Sequence, residues 1–226
     1  MSASPTSFRQ AKRQHQSILA GVEKKALVWM AERLPAVIHS DHLTLLGFAA
    51  MLGAGLAYWL SAHYPWALFM VSAMLVINWL GDSLDGTLAR VRNKTRPRYG
   101  FYVDHVVDAF STFFLLGGMA LSGYMTPLIA LGALIAYLMI NIEVYLATYT
   151  IGIFHLSFFK FGPTELRLLL IIGNTVIFFK PYVRVFGPPL LLFDIAGAIG
   201  IIGMGLILII TAIRHTRQLY REETRP

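Results

Sequence analysis

Two long stretches of this chain carry no charged residue: Asp, Glu, Lys and Arg are all missing between Leu43 and Gly81, and again between Ala109 and Ile142. A chain that must keep its surface in water does not leave runs of that length uncharged, so the solvent they point to is a bilayer. Lipid offers no partner for a free backbone N–H or C=O, so the segments that cross it are helices of about 20 residues. Six apolar segments of that kind can be placed, at about 42–60, 66–91, 98–122, 126–152, 164–180 and 188–213. The fifth is short and carries Glu165 and Arg167 near its start. The expected fold is all-α, an integral membrane bundle of six transmembrane helices. With 56% hydrophobic and 14% charged residues, the composition fits that class and no ordinary soluble domain.

The flanks complete a one-domain plan: residues 1–41 as an N-terminal cytoplasmic segment, 42–213 as the six-helix transmembrane domain, and 214–226 as a cytoplasmic tail. Over residues 17–38, Ile18, Val22, Ala26, Met30 and Leu34 recur every four positions while Glu23, Lys24, Lys25, Glu32 and Arg33 lie off that stripe. This predicts an amphipathic juxtamembrane helix, lying in the interface or packed on the protein's own cytoplasmic face. Basic residues gather in the N-terminal segment, in the loop Arg92–Arg98, at Lys160 and in the tail, against only Lys180 and Arg184 on the other side. By the positive-inside rule both termini are cytoplasmic. The net charge of +7 then reads as basic loops facing anionic headgroups, with no nucleic-acid partner. Cysteine is absent, which excludes disulfides, zinc-thiolate sites and Cys nucleophiles. No internal repeat supports an inverted-repeat transporter.

Four carboxylates break the apolar pattern. Asp82 and Asp85 close the second segment, and Asp104 and Asp108 open the third. Charges at the margin of a span are costly and mark functional sites by default. Residues three or four apart share a helix face, so each pair projects together. The polar turn 91–99 lets the two helices run antiparallel and the pairs converge. Bare carboxylates that close would repel, and hard divalent cations with oxygen ligands (Mg²⁺, Mn²⁺ or Ca²⁺) relieve the repulsion. Gly86 leaves room for a ligand to approach the backbone, and Arg90 could hold a phosphate bidentately. The competing reading is helix capping and interfacial solvation for the acids, helix packing for Gly86 and Gly100, and a snorkelling cation for Arg90.

The pattern Asp82-x2-Asp85-Gly86-x2-Ala89-Arg90-x9-Gly100-x3-Asp104-x3-Asp108 resembles the signature of the CDP-alcohol phosphotransferases. These membrane enzymes split the pyrophosphate of a CDP-activated alcohol, release CMP and join the phospho-alcohol to a second hydroxyl. The resemblance implies that Asp82, Asp85, Asp104 and Asp108 hold Mg²⁺ or Mn²⁺ as a pair of ions, and that Asp108 is also the general base. It implies that Gly86, Ala89, Arg90 and Gly100 belong to the CDP-binding surface, together with Thr44, the one match to an upstream Pro-Asn-x-x-Thr. Asp41 stands where that motif has its amide, and otherwise reads as a cap on the first span. The resemblance alone implies a homodimer, and the expected place is a cytoplasmic membrane of bacterial or archaeal type, with the Asp cluster facing the cytoplasm.

Donor and acceptor are less constrained. CDP-diacylglycerol with a small polar alcohol is the favoured pair. Asp104-His105-x-x-Asp108 before Ser111-Thr112, and Thr164-Glu165, resemble instead the choline and ethanolamine phosphotransferases, which work on diacylglycerol. Glu143, Thr164, Glu165 and Arg167 are candidates for donor or acceptor recognition. Glu143 has Arg167 as a possible partner, and Thr164-Glu165 read equally as a helix start. His105 points off the ligand face and is expected to pack, and Asp194 is expected at the far interface. A divalent-cation transporter is the rival from another class. The carboxylates crowd one membrane face, and Arg90 would set a positive charge beside the ion path, both of which argue against it.

Overall fold

The computed structural model describes residues 20–152, 162–184 and 187–223, and the side chains from residue 23 onward. These residues form seven helices: α1 (Ala20–Arg33), α2 (Ser40–Ser61), α3 (Ala67–Val91), α4 (Pro97–Leu121), α5 (Pro127–Thr150), α6 (Pro163–Phe179) and α7 (Leu192–Glu222). The only strands among them are two-residue pieces, β1 (Tyr182–Val183) and β2 (Leu190–Leu191), paired antiparallel with Tyr182 opposite Leu191.

Helices α2, α3, α4, α5 and α7 are long and apolar enough to cross a membrane, which marks the chain as a membrane protein. With 17 residues, α6 rises only about 25 Å at 1.5 Å per residue, short of a hydrocarbon core of about 30 Å. The expected last segment, 188–213, is displaced at both ends. Pro188 and Pro189 cannot continue a helix, so the chain pairs as β2 before α7 begins at Leu192. At the other end α7 runs unbroken past residue 213 to Glu222.

Helix α2 is the central element, lying along both α3 and α4; α3 also carries α1 and α6, and α5 joins α4 to α7. Lipid is as apolar as leucine, so helices in it are held by close backbone approach and by hydrogen bonds. Both occur here. A Cβ on Gly81 of α3 would fall 2.6 Å from the Leu43 carbonyl oxygen and 2.7 Å from the Gly47 nitrogen. A Cβ on Gly118 of α4 would fall 2.1 Å from the Gly55 carbonyl oxygen. One turn beyond the Gly55 crossing, the fully buried Tyr58 donates to Asn174 Oδ1 of α6 at 2.7 Å, and Asn174 Nδ2 donates to Ser72 of α3 at 3.3 Å. Leu68, Val71, Leu75, Leu115, Met119 and Ile177 fill the surrounding core.

The face that α1 uses is only partly the expected stripe: Met30 and Leu34 pack inward as expected, while Ile18 and the Val22 side chain lie outside the described residues. Leu27 and Ala31 are the buried residues, packed with Leu43, Leu84 and Leu88, while Ala26 is exposed. A strict four-residue repeat drifts around a 3.6-residue helix, and the stripe that stays on one side runs Glu23, Leu27, Met30/Ala31, Leu34. Arg92 fastens the following turn to the end of α3: its guanidinium donates to the carbonyls of Leu34 (2.8 Å), Pro35 (3.0 Å) and Ile38.

Candidate functional site

Helices α3 and α4 are joined by the tight polar turn 92–96, yet they pack mainly on α2 rather than on each other. The gap between them is a small open pocket lined by Thr44, Gly47 and Phe48 of α2, Asn78, Asp82 and Asp85 of α3, and Asp104, Val107, Asp108 and Ser111 of α4. All four aspartates of the sequence motif therefore face one space.

Helical rise sorts the lining by depth. Counted from the turn at 1.5 Å per residue, Asp85 and Asp104 sit about 10 Å in, Asp82 and Asp108 about 15 Å, and Asn78 and Ser111 about 20 Å. Each helix contributes one stripe at positions i, i+4 and i+7: Asn78, Asp82, Asp85 on α3 and Asp104, Asp108, Ser111 on α4. Electrostatics follow the same layers. The strongest carboxylate repulsion felt by Asp85 comes from Asp104, and that felt by Asp108 comes from Asp82.

Several groups hold the acids in place. Thr44 Oγ1 lies 2.9 Å from Asp85 Oδ2 and 3.1 Å from the Ser40 carbonyl, and the Gly86 N–H donates to Asp85 Oδ1. Ser40 Oγ donates to the Asp85 carbonyl at 3.0 Å. On the α6 side, Arg167 Nη2 donates to Asp82 Oδ2 at 2.7 Å and its Nε to Asn78 Oδ1 at 2.8 Å. Asn78 Nδ2 in turn donates to the Gly47 carbonyl at 3.0 Å. One buried amide thus ties α2, α3 and α6 together directly beneath the acids.

The donor set fits a hard divalent cation: four carboxylates, and no His or Cys in the lining. Among the described residues, no three His, Cys, Asp or Glu side chains are already gathered into a ready-made metal cluster. Asp82 is turned toward Arg167 and Asp85 toward Thr44, which keeps the acids from drawing together.

The other candidates divide. Gly86, Ala89, Arg90 and Gly100 lie outside the pocket lining. Arg90 folds back on its own helix, with Nη2 donating to Thr87 at 3.0 Å and Nη1 3.4 Å from where a Cβ on Gly86 would stand. A Cβ on Gly100 would meet nothing within 4 Å, so neither glycine is needed for helix packing. Arg167 reaches the acids, whereas Glu143 pairs with His215 of α7 at 2.6 Å and does not meet Arg167. Glu165 caps α6 by accepting from the Gly162 N–H at 2.9 Å. Thr164 donates to Glu23 of α1 at 3.3 Å. Asp41 does not cap α2, whose first turn is closed by the His39 N–H on His42 Nδ1; it pairs with Arg96. His105 packs between Phe101 and Tyr145, and Asp194 accepts from the Thr126 N–H at 2.6 Å, fastening α7 to α5.

Sequence reasoning passed over Asn78, Gly47, Phe48 and Val107 in the lining, and Glu23 beside it. Asn78 had a readable signal: it stands four residues before Asp82 and continues the same face into an otherwise apolar run. Glu23 had none, because its donors Trp79 (2.9 Å), Ser83 (3.5 Å) and Thr164 come from two distant helices. A scan against protein-family models finds no match to the chain, and a search of curated proteins finds no significant one.

Proposed function

We propose that the chain is a CDP-alcohol phosphotransferase of phospholipid biosynthesis, which moves a substituted phosphate group from a CDP-linked donor to an alcohol hydroxyl and releases CMP. CDP-diacylglycerol is the donor we favour. One observation carries this reading: Asp82, Asp85, Asp104 and Asp108, spaced as in the family's signature, line a single pocket at the α3–α4 turn.

In this reading the acceptor oxygen attacks the phosphorus bearing the donor's alcohol, the bond from that phosphorus to the bridging pyrophosphate oxygen breaks, and its electron pair departs with CMP. Asp108, exposed in the middle layer of the pocket, takes the proton the acceptor loses. Asp82, Asp85, Asp104 and Asp108 would hold Mg²⁺ or Mn²⁺, as a pair of ions, which would supply charge neutralisation for the pyrophosphate and the leaving CMP. Arg167, fixed by Asn78 beside Asp82, supplies a permanent positive charge against which a donor phosphate can be oriented.

The same reading takes α6 as a sixth, short span, with both termini and the pocket on the cytoplasmic side, and α1 as the juxtamembrane helix of a homodimeric enzyme. Helix α6 gains support from its docking on α3 through Arg167 and Asn174. Purified protein in lipid with Mg²⁺ tests the function. CDP-diacylglycerol with serine, glycerol phosphate or inositol phosphate is set against CDP-choline or CDP-ethanolamine with diacylglycerol. CMP release that needs both donor and acceptor, and stops with EDTA, is the expected result. Metal flux into liposomes without CMP release from any pair would replace the enzyme reading with transport.

A further inference from the structure

Hydroxyls on these helices nearly always satisfy themselves locally. Ser72, Thr87, Thr112, Thr148 and Thr175 each donate to the carbonyl four residues back. Ser111 does not. Its Oγ is the one buried side-chain polar atom without a hydrogen-bond partner among the described residues, and the residue is only 5% exposed. A buried donor left unmade costs about 1–3 kcal/mol, so such a group calls for an explanation.

Its position offers one. Ser111 lies one turn deeper than Asp108 on the same stripe and lines the pocket floor. The other polar group at that depth, Asn78, is committed at both ends, its amide nitrogen to Gly47 and its oxygen to Arg167. Phe48 and Val107 make up the apolar flank. The floor therefore presents a single uncommitted hydroxyl beside an apolar flank, and the cation nearest to it, Arg167, is already engaged by Asn78 and Asp82. A neutral hydroxyl-bearing group finds one partner and a fitting surface there, while a phosphate is drawn to the Arg167 side of the pocket.

We infer that Ser111 is a positioning residue that hydrogen-bonds the acceptor alcohol beneath Asp108, holding its reacting hydroxyl against the carboxylate layer. This rests on the phosphotransferase reading above and adds the residue that seats the second substrate. One neutral hydrogen bond of about 0.5–1.5 kcal/mol corresponds to about 2- to 12-fold in an equilibrium constant.

The test compares wild type, Ser111→Ala and Ser111→Thr in lipid with Mg²⁺, using the serine, glycerol phosphate, inositol phosphate and diacylglycerol pairs named above. Melting temperature of the metal-free, substrate-free protein is read alongside. Ser111→Ala should raise the KM for the acceptor about 2- to 12-fold and leave the donor KM within twofold. Its melting temperature should stay level or rise, because the lost hydroxyl had no partner. Ser111→Thr should keep the wild-type acceptor KM. A melting temperature lowered by several degrees in Ser111→Ala would mean the hydroxyl serves the fold, and unchanged constants would mean that water alone solvates it; either result overturns the inference. If wild type releases CMP and only these comparisons fail, the inference falls by itself. If wild type releases none from any pair, the functional reading falls and takes the inference with it.

Discussion

Alanine at Gly118 should damage a site that lies ten residues away along α4. The new Cβ would stand 2.1 Å from the Gly55 carbonyl oxygen and 2.6 Å from Gly55 Cα, against about 3.4 Å for ordinary contact. Backbone on both sides leaves no side chain to swing aside, so α4 must move off α2 by about 1 Å or more. Overpacking of this kind costs typically about 1–3 kcal/mol, and here the obstruction is main chain, which sets the expectation at the upper end. Asp104, Asp108 and Ser111 ride on the displaced helix while Thr44, Gly47 and Phe48 stay with α2. A misplacement of about 1 Å at reacting groups can cost about 100-fold in rate. The neighbouring Gly117 is the control: its Cβ would meet nothing within 4 Å, and alanine in a helix gains roughly 0.5–1 kcal/mol over glycine. Thermal unfolding in detergent and CMP release in lipid read the two variants. Gly118→Ala should melt lower and turn over at least tenfold more slowly, and Gly117→Ala should match wild type or exceed it in stability. Indistinguishable behaviour of the two alanines would refute the close crossing of α2 and α4.

Three further outcomes are expected. Asp85→Asn should abolish CMP release while the protein elutes and melts as wild type, since the carboxamide keeps the Thr44 contact but loses the charge; near-normal turnover would remove Asp85 from the metal site. Tyr58→Phe leaves Asn174 Oδ1 buried without its donor, a loss of about 1–3 kcal/mol that a melting curve should register, with little change in the KM for either substrate. Arg92→Ala withdraws donors from three carbonyls between Leu34 and Ile38, so amide exchange over residues 20–38 should quicken markedly while that in α5 is unaffected.

What could be read in the chain follows the reach of each signal. Apolar runs and three-four spacing are local properties, and from them came five of the membrane-length helices and the shared faces of the four aspartates. Partners far apart in sequence left no such trace. Arg167 answers to Asp82 and Asn78, more than eighty positions away, and Glu143 to His215, so the simple pairing of the two oppositely charged residues near the fourth and fifth segments was mistaken. The glycine crossings were equally hidden. Gly47, Gly55, Gly81 and Gly118 look like Gly117 or Gly100 on paper, and only the path of the opposing helix separates them. At α1 the fault was geometrical, a four-residue repeat used where 3.6 applies.

The way α6 is held has a consequence for how the protein is made. This short helix brings two polar groups that lipid alone would leave unsatisfied, Arg167 near its start and Asn174 past its middle, and they find their partners on α3 (Asn78, Asp82 and Ser72) and on α2 (Tyr58). Emerging from the ribosome by itself, α6 is a poor candidate for insertion. On the proposal that α6 is a sixth, short span, the same groups become the reason to enter once α2 and α3 are in the bilayer. Biogenesis of this chain should therefore be hierarchical, with the amino-terminal half acting as an acceptor template for its own sixth helix, and truncation of that half should leave α6 stranded outside the membrane.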